Sequence, residues 1–446
     1  MPVTVQRFPS NPGPAAWDCL LPPRKPQPVL NDSKTADFAV IGAGFAGLSA
    51  ARRLLQLNPG SKIVVLEAQT VANGPAGRNS GFMIDLPHNL GSTNYAGDDT
   101  LDQLRTNLNR EAISFAQEAA LEYKMGNEAF APSGKINSAA TAKGVLKNRA
   151  YAQHLTRLNE DHEMLDQQQM KDVCGSDYYL QGLYTPGTVL IQPALYVRHL
   201  ADGLVNQGVD LFENTPVTAF AKTTSGWDIK VPGATLSAGT MVLTVNGHVE
   251  SFGFFKRRLM HIYLYASMTR AMSVEEAKQL GGYQNWAFTP SDPLGTTVRK
   301  ISGTGGTRII VRNRFTWAPD RHVSDARLAS IAPAQDRSFR NRFPSLDGLP
   351  MEYRWGGLLC LSRNSSPAFG ELDTNLYSAC CQNGLGTVAG TLSGKLAAEI
   401  ASGIANSSTR AMQDLPLPEK LPPEPFSSLG ANAYMRWAEF NAGREL

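Results

Sequence analysis

From Ala39 to Ile41 three apolar residues run straight into the turn Gly42-Ala43-Gly44-Phe45-Ala46-Gly47. Beyond it, Leu48, Ala51 and Leu55 recur at helical spacing. The pattern predicts a buried strand, a tight glycine turn and a helix with one apolar face. KIVVLEA, from Lys62 to Ala68, predicts a second buried strand tipped by Glu67. A helix is expected over Tyr196 to Asn206, then strands around Val209 to Phe212, from near Val217, in WDIKV and over Met241 to Gly247. A last strand, Leu376 to Cys381, opens onto Asn383-Gly384-Leu385-Gly386-Thr387 and a helix of small residues through Ile400. Elsewhere the period changes. From Met260 to Met272 the chain alternates, with His261, Tyr263 and Tyr265 on one face and Ile262, Leu264 and Ala266 on the other. Arg308 to Phe315 reads as a neighbouring strand with Arg308, Arg312 and Arg314 at even spacing. A strand–helix pattern that stops for about a hundred residues and resumes implies a nucleotide-binding domain interrupted by insertions.

The glycine turn has a mechanical reading. Gly42 permits the tight turn, Gly44 lets a pyrophosphate approach the backbone, and Gly47 lets helix and strand pack closely. The helix N-terminus offers unpaired N–H groups and a positive dipole end to phosphate. Glu67 stands twenty residues after Gly47, where a carboxylate accepts hydrogen bonds from ribose hydroxyls and repels a 2′-phosphate. The motif predicts a dinucleotide and leaves FAD and NAD open. Three later segments favour the flavin, one being Leu190 to Phe220, where the interrupted strand–helix pattern resumes. Gly74 to Phe82 is a glycine-rich loop holding Arg78, Asn79 and Ser80, which suits a phosphate or a ring edge. The turn at Gly384 is a second glycine-rich helix start, whose partial positive charge can stabilise negative charge on a reduced flavin.

Composition narrows the classes. The 446 residues are 42% hydrophobic and 18% charged, with 42 Lys+Arg against 39 Asp+Glu for a net charge of +3. That balance excludes a nucleic-acid binder. Five unpatterned cysteines, including the vicinal Cys380 and Cys381, argue against a disulfide framework or a zinc ribbon. No metal site is expected: Asp161, His162 and Glu163 read as part of a solvated helix with Leu155, Leu158 and Leu165 inward. The basic run before Met260 reads as a surface loop entering a strand. No signal peptide or transmembrane segment is evident, so a cytoplasmic protein is expected. The first thirty or so residues are proline-rich and predict an extended arm.

Taken in order, VIGAGFAG, VVLEA, GRNSGF, PALYVRHLADGL, YRWGG, SSPAFG and GLGTV…SG resemble the D-amino-acid-oxidase-like (DAO) family of FAD-dependent amine and amino-acid oxidoreductases. Within it the chain looks most like the γ-glutamylputrescine oxidase branch. The resemblance spans Phe38 to Gly403 and implies an α/β fold: a Rossmann-type, glutathione-reductase-like FAD-binding domain interleaved with an antiparallel-sheet α+β substrate domain. The expected divisions are an arm (1–35), the FAD-binding segments (36–85, 188–251 and 351–405), the substrate segments (86–187 and 252–350) and a C-terminal tail (406–446). By similarity, Gly42, Gly44, Phe45, Ala46 and Gly47 hold the pyrophosphate, and Glu67 with Ala68 the adenosine ribose. Arg78, Asn79, Ser80 and Gly81 line the path to the flavin, with Phe82 and Met83 beside the ring. Val217 meets the adenine, and Gly384, Leu385, Gly386 and Thr387 meet the pyrimidine edge. The chain departs from the branch at Leu385, where many members carry histidine, and at Ser362 and Asn364. Cys360 comes nearest to a covalent-flavin position, and non-covalent FAD is expected.

The chemistry implied is oxidation of a C–N bond of an amine or amino acid, primary or N-substituted, with a γ-glutamyl amine as one possibility. The amine must bind neutral, because an ammonium has no lone pair. A hydride then passes to flavin N5, and the resulting imine hydrolyses. Tyr263 and Tyr265, with Trp286, are expected to orient the substrate above the ring, and Arg314 to pair with any carboxylate. His88 is a candidate for proton chemistry. Partners expected are a small-molecule amine and an acceptor, either oxygen or a quinone or electron-transfer protein, with an oligomer possible. The competing readings are a non-catalytic or hetero-complex FAD-binding subunit and an NAD-dependent dehydrogenase.

Overall fold

The computed structural model describes residues 2–87 and 96–446. Its largest sheet has a parallel centre of five strands. Lys34–Ile41 lies between Ile63–Leu66 and Ala234–Leu243, and Asp210–Phe212 and Leu376–Cys380 flank those two. These segments are near-continuous apolar runs because both faces of a parallel sheet are covered. Helices Phe45–Leu57 and Val388–Ala401 pack closely on one face: a Cβ on Gly394 would lie 2.0 Å from the Ala46 carbonyl oxygen. The helix Pro193–Asn206 joins them in the same apolar cluster, and Trp227, Ile229 and Phe252 help fill the other face.

The second sheet has eight strands, in the order Met351–Leu361, Met260–Thr269, Gly306–Trp317, Thr297–Gly303, Trp286–Pro290, Lys135–Ala139, Gln181–Thr185 and Glu163–Leu165. It is antiparallel except where Trp286–Pro290 meets Lys135–Ala139, the parallel junction of the two insertions. Met351–Leu361, expected with the nucleotide-binding segments, instead pairs along its length with Met260–Thr269. A small third sheet joins Phe82–Met83, Val189–Leu190 and Ala131–Pro132.

Some boundaries differ from expectation. The strand expected from Val217 runs Ala219–Lys222, and Met241 to Gly247 begins inside the longer strand Ala234–Leu243. The solvated helix expected around Asp161 to Glu163 ends at Arg157, and Glu163–Leu165 is a strand, since Leu165 is needed in a core it reaches only by pairing with Gln181–Thr185. The arm is extended as expected, but it is an integral part of the fold. Val3–Thr4 adds a strand to the edge of the large sheet, and Ala16–Cys19 forms a helical turn that buries Trp17. The tail forms helices Ser407–Gln413 and Phe426–Ala442, after which Glu445 enters the second sheet's body and accepts hydrogen bonds from the Ala140 and Thr141 amides.

Candidate active site

One long cavity runs between the two large sheets, beginning at the glycine turn. Gly42 has φ +106, a conformation that favours glycine. A Cβ on Gly47 would lie 1.8 Å from the Gly42 carbonyl oxygen and 2.7 Å from Thr244 Oγ1, so the helix can approach the strand only without one. A Cβ on Gly44 would meet protein only at Ala76 Cβ, 3.6 Å away, and would otherwise face the cavity that Gly44, Phe45 and Ala46 line. Glu67 and Ala68 line it next. The Glu67 carboxylate accepts from the Ala43 amide (2.8 Å) and the Gln69 amide (2.9 Å), and burial pushes its pKa up. Val217 borders the same end.

The loop from Gly74 to Phe82 forms the middle wall. Asn79 Oδ1 accepts from the Gly81 amide, and Asn79, Ser80 and Gly81 line the cavity. Arg78 also borders it, yet its guanidinium donates to four carbonyls: Asn73 (2.6 Å), Gly13 (3.1 Å), Pro12 (3.2 Å) and Gly356 (3.3 Å). It staples the arm and the second sheet to the loop and is committed to that task, not to a phosphate. Burial lowers its pKa to about 10, against a smaller opposing effect of neighbouring groups that include Asp18. Arg299, which sequence reasoning passed over, fixes the loop from the other side by donating to the carbonyls of Ser80 (2.8 Å), Gly81 (3.1 Å) and Ile191 (2.9 Å). Its only advance signal was its place in a strand beside other arginines.

Beyond the loop, alternation decides which side chains face the cavity. Phe82 and Ile84 do, whereas Met83, expected beside the ring, is fully buried in the helix-side core because it points the other way. Gly384, Leu385, Gly386 and Thr387 complete this end. A Cβ on Gly386 would meet no atom within 4 Å, and the Thr387 hydroxyl donates to the Phe82 carbonyl.

The strand Met260–Thr269 crosses the cavity, but its expected faces are reversed in role. Leu264 and Ala266 line the cavity. Tyr265 packs with Ala318, Val323, Leu328 and Ile331 and donates to Thr316 Oγ1 (2.8 Å). Tyr263 borders the cavity at the arm, where its hydroxyl meets the carbonyls of Ser10 (2.6 Å) and Arg321 (3.0 Å). Trp286 stacks on Phe288 in a separate core, with ring centroids 4.5 Å apart. A β-bulge removes Arg314. Phe315 pairs with Leu264 and Asn313 with Tyr265, leaving Arg314 between them at φ +66. It turns away to pair with Glu439 (3.2 Å) in a second cavity. Arg312 lines the main cavity instead and donates to Thr297 Oγ1 (2.7 Å). Arg312 pairs with Ala266 on one side and Thr297 on the other, and Thr289 stands beside Thr297 because Phe288 pairs with Val298. Ala266, Arg312, Thr297 and Thr289 thus form one row across four strands on the cavity side. His88 lies outside the described residues.

The arm closes the remaining side. Val5 and Arg7 through Asn11 line the cavity, with Arg7 paired to Asp320 (2.7 Å) and Asn11 bonded to Gln69 (2.9 Å). Cys360 borders the cavity, and burial beside Cys381 and Cys380 drives its thiol well above the ordinary range. Among the described residues no group of three or more His, Cys, Asp or Glu side chains could hold a metal ion, and no helix is long and apolar enough to cross a membrane.

The glycine cradle, the buried Glu67 carboxylate and the space at Gly386 fit a dinucleotide, which Gly42, Gly44, Glu67 and Gly386 would hold. The comparisons with known proteins agree. Residues 37–400 match the model of the DAO family, FAD dependent oxidoreductase. The chain is 24% identical over 368 residues to a probable oxidoreductase OrdL of Haemophilus influenzae, covering 79% of each chain. It is 25% identical over 371 residues to a γ-glutamylputrescine oxidoreductase of Escherichia coli, covering 79% of this chain and 80% of that one. The structure superimposes on glycine oxidase from Geobacillus kaustophilus with a TM-score of 0.70 at 16% identity, covering 84% of this chain and 96% of that one.

Proposed function

Because the chain belongs to the DAO family of FAD-dependent oxidoreductases, we propose that it oxidises the C–N bond of an amine that carries a carboxylate, a primary or N-substituted amino acid or a γ-glutamyl amine. The observation that carries this is the row of Arg312, Thr297 and Thr289, a guanidinium and two hydroxyls on the wall of a cavity that Leu264, Ala266, Phe82, Ile84 and Leu385 also line. A planar fork in an apolar pocket suits a carboxylate, and the hydroxyls beside it suit an amine. FAD, when bound, takes up the hydride from the carbon bearing the nitrogen. The protein's part is to hold that carbon in place, exclude water and keep the nitrogen unprotonated. The γ-glutamylputrescine oxidoreductase and the glycine oxidase that the chain is similar to are named for amines with a carboxylate, which supports the reading.

In this reading Arg312 takes the carboxylate role expected of Arg314, and Tyr263 and Tyr265 support the sheet. FAD is held without a covalent bond, since a thiol as strongly protonated as that of Cys360 is a poor nucleophile. The electron acceptor is oxygen or a quinone or electron-transfer protein. The test is anaerobic: purified holoenzyme is mixed with glycine, sarcosine, other D- and L-amino acids, γ-glutamylputrescine and putrescine while flavin absorbance is followed. Bleaching by carboxylate-bearing amines and not by putrescine is expected. Bleaching by putrescine alone overturns the carboxylate assignment, and no bleaching by any of them supports a non-catalytic or hetero-complex subunit.

A further inference from the structure

The second sheet holds a lysine that this reading leaves unused. Lys135 is 2% exposed and forms no ion pair among the described residues. Its Nζ donates to Asn137 Oδ1 and lies 3.4 Å from Thr289 Oγ1, while the Thr289 hydroxyl donates to Asn137 Oδ1 at 2.6 Å. A lysine with only neutral partners in a dry interior favours its uncharged form. Burial lowers its pKa to about 7, with only the Asp85 charge opposing the shift. Asp85 is itself paired with Arg110 (3.1 Å), which also pairs with Glu160.

The surroundings are polar beyond what folding requires. Among the described residues Asp85 Oδ1, Asn137 Nδ2, Thr185 Oγ1 and Thr188 Oγ1 are buried without a hydrogen-bond partner, and Thr185 pairs with Lys135 across the ladder. Native proteins keep few such atoms, and each calls for a reason. The topology supplies one. Lys135 and Asn137 alternate onto one sheet face, Asn137 pairs with Thr289, and Thr289 borders the cavity two strands from Arg312.

We propose that Lys135, acting through the Thr289 hydroxyl, accepts the proton that a substrate ammonium must lose in the cavity. The proposal rests on the amine-oxidation reading. A substrate N–H bond breaks as its proton passes to Thr289 Oγ1. The Thr289 hydroxyl turns from Asn137 Oδ1 toward Lys135 Nζ, and its O–H bond breaks as its own proton passes to the Lys135 lone pair, forming a new N–H bond there. No electrons change hands, the substrate is left neutral, and Lys135 later returns the proton to water. Lys135 is a positioning and relay residue and does not touch the substrate.

The test uses holoenzyme of the wild type, Lys135→Met, Lys135→Arg and Thr289→Val. Each is reduced anaerobically by glycine and by sarcosine between pH 6 and 10, after its flavin spectrum is checked. The wild-type rate is expected to fall on the acid side of a limb near pH 7. In Lys135→Met and Thr289→Val the limb should move toward the ordinary ammonium range, about 10, with a loss of about 100-fold at pH 7.5 that is recovered at pH 10. Lys135→Arg, permanently charged, should be slow throughout. A second readout needs no substrate. The melting temperature of the wild type should rise with pH relative to Lys135→Met between about pH 7 and 10. In that window the unfolded lysine holds a proton that the folded one lacks. A Lys135→Met enzyme with normal flavin and an unshifted limb overturns the relay alone, as does a flat stability difference. Should neither amine bleach the wild-type flavin while Lys135 still titrates near 7, the amine-oxidation reading fails for these substrates and the relay falls with it.

Discussion

Two glycines of one turn should fail in opposite ways. Gly47→Ala places a methyl 1.8 Å from the Gly42 carbonyl oxygen and 2.7 Å from Thr244 Oγ1. The first is backbone at the tip of the central strand, so the helix Phe45–Leu57 must move away. Overpacking of this kind costs about 1–3 kcal/mol, and a backbone clash belongs at the upper end. Alanine returns up to about 1 kcal/mol of helix propensity, leaving a net loss of about 2 kcal/mol. Gly44→Ala meets, among the described residues, only Ala76 Cβ at 3.6 Å and has φ −89, so its structural cost is the glycine-to-alanine difference at an N-cap, about 0.5–1 kcal/mol. Its methyl instead occupies the approach of the pyrophosphate. Melting temperatures with and without excess FAD, together with FAD titrations followed by flavin fluorescence, separate the two. Gly47→Ala should melt several degrees lower even without FAD. Gly44→Ala should melt closer to the wild type than Gly47→Ala does without FAD, gain much less on adding it, and bind it at least tenfold more weakly. If Gly44→Ala destabilises the apoprotein as much as Gly47→Ala, the assignment of one glycine to ligand and the other to packing is wrong.

Three further outcomes follow. Arg312→Met should raise the KM of carboxylate-bearing amines about 10–100-fold, the worth of one or two hydrogen bonds to a charged group, while Arg314→Ala leaves steady-state kinetics unchanged; the reverse order would refute the bulge argument. Arg78→Met, which strips donors from the carbonyls of Pro12, Gly13 and Gly356, should let trypsin cut at Arg7 many times faster with little loss of helix signal; equal cutting rates would show that the arm is held elsewhere. Acid precipitation should leave all the flavin in the supernatant, and flavin in the pellet would mean a covalent bond.

The nucleotide-binding half was legible because its signals are local. A buried run, glycines at fixed offsets and an acid at the next strand tip each carry their own geometry, and Gly42 to Gly47 and Glu67 stand where the spacing puts them. The substrate side was legible only as far as period two holds. The alternation from Met260 was read correctly, but nothing in it says which face meets the cavity, and the aromatic face turned out to be the structural one. Arg314 was lost to a bulge, which inserts one residue and reverses every even-spaced inference beyond it. Arg299, Arg78 and the arm were hidden for another reason. Their partners are carbonyls brought together by folding, and a carbonyl leaves no mark in a sequence.

The arm also sets an order of events during synthesis. It is made well before the segments that hold it: Pro12 waits for Gly356, Arg7 for Asp320 and Ser10 for Tyr263, contacts 253 to 344 residues apart. At about 5–20 residues per second, those partners emerge tens of seconds later. The central strand waits as well, because Ala234–Leu243 must arrive beside it. The cleft therefore stays open on the arm's side until the strand Met351–Leu361 has been made. Until then there is no closed pocket to fill, which makes cofactor capture a late event in the making of the protein.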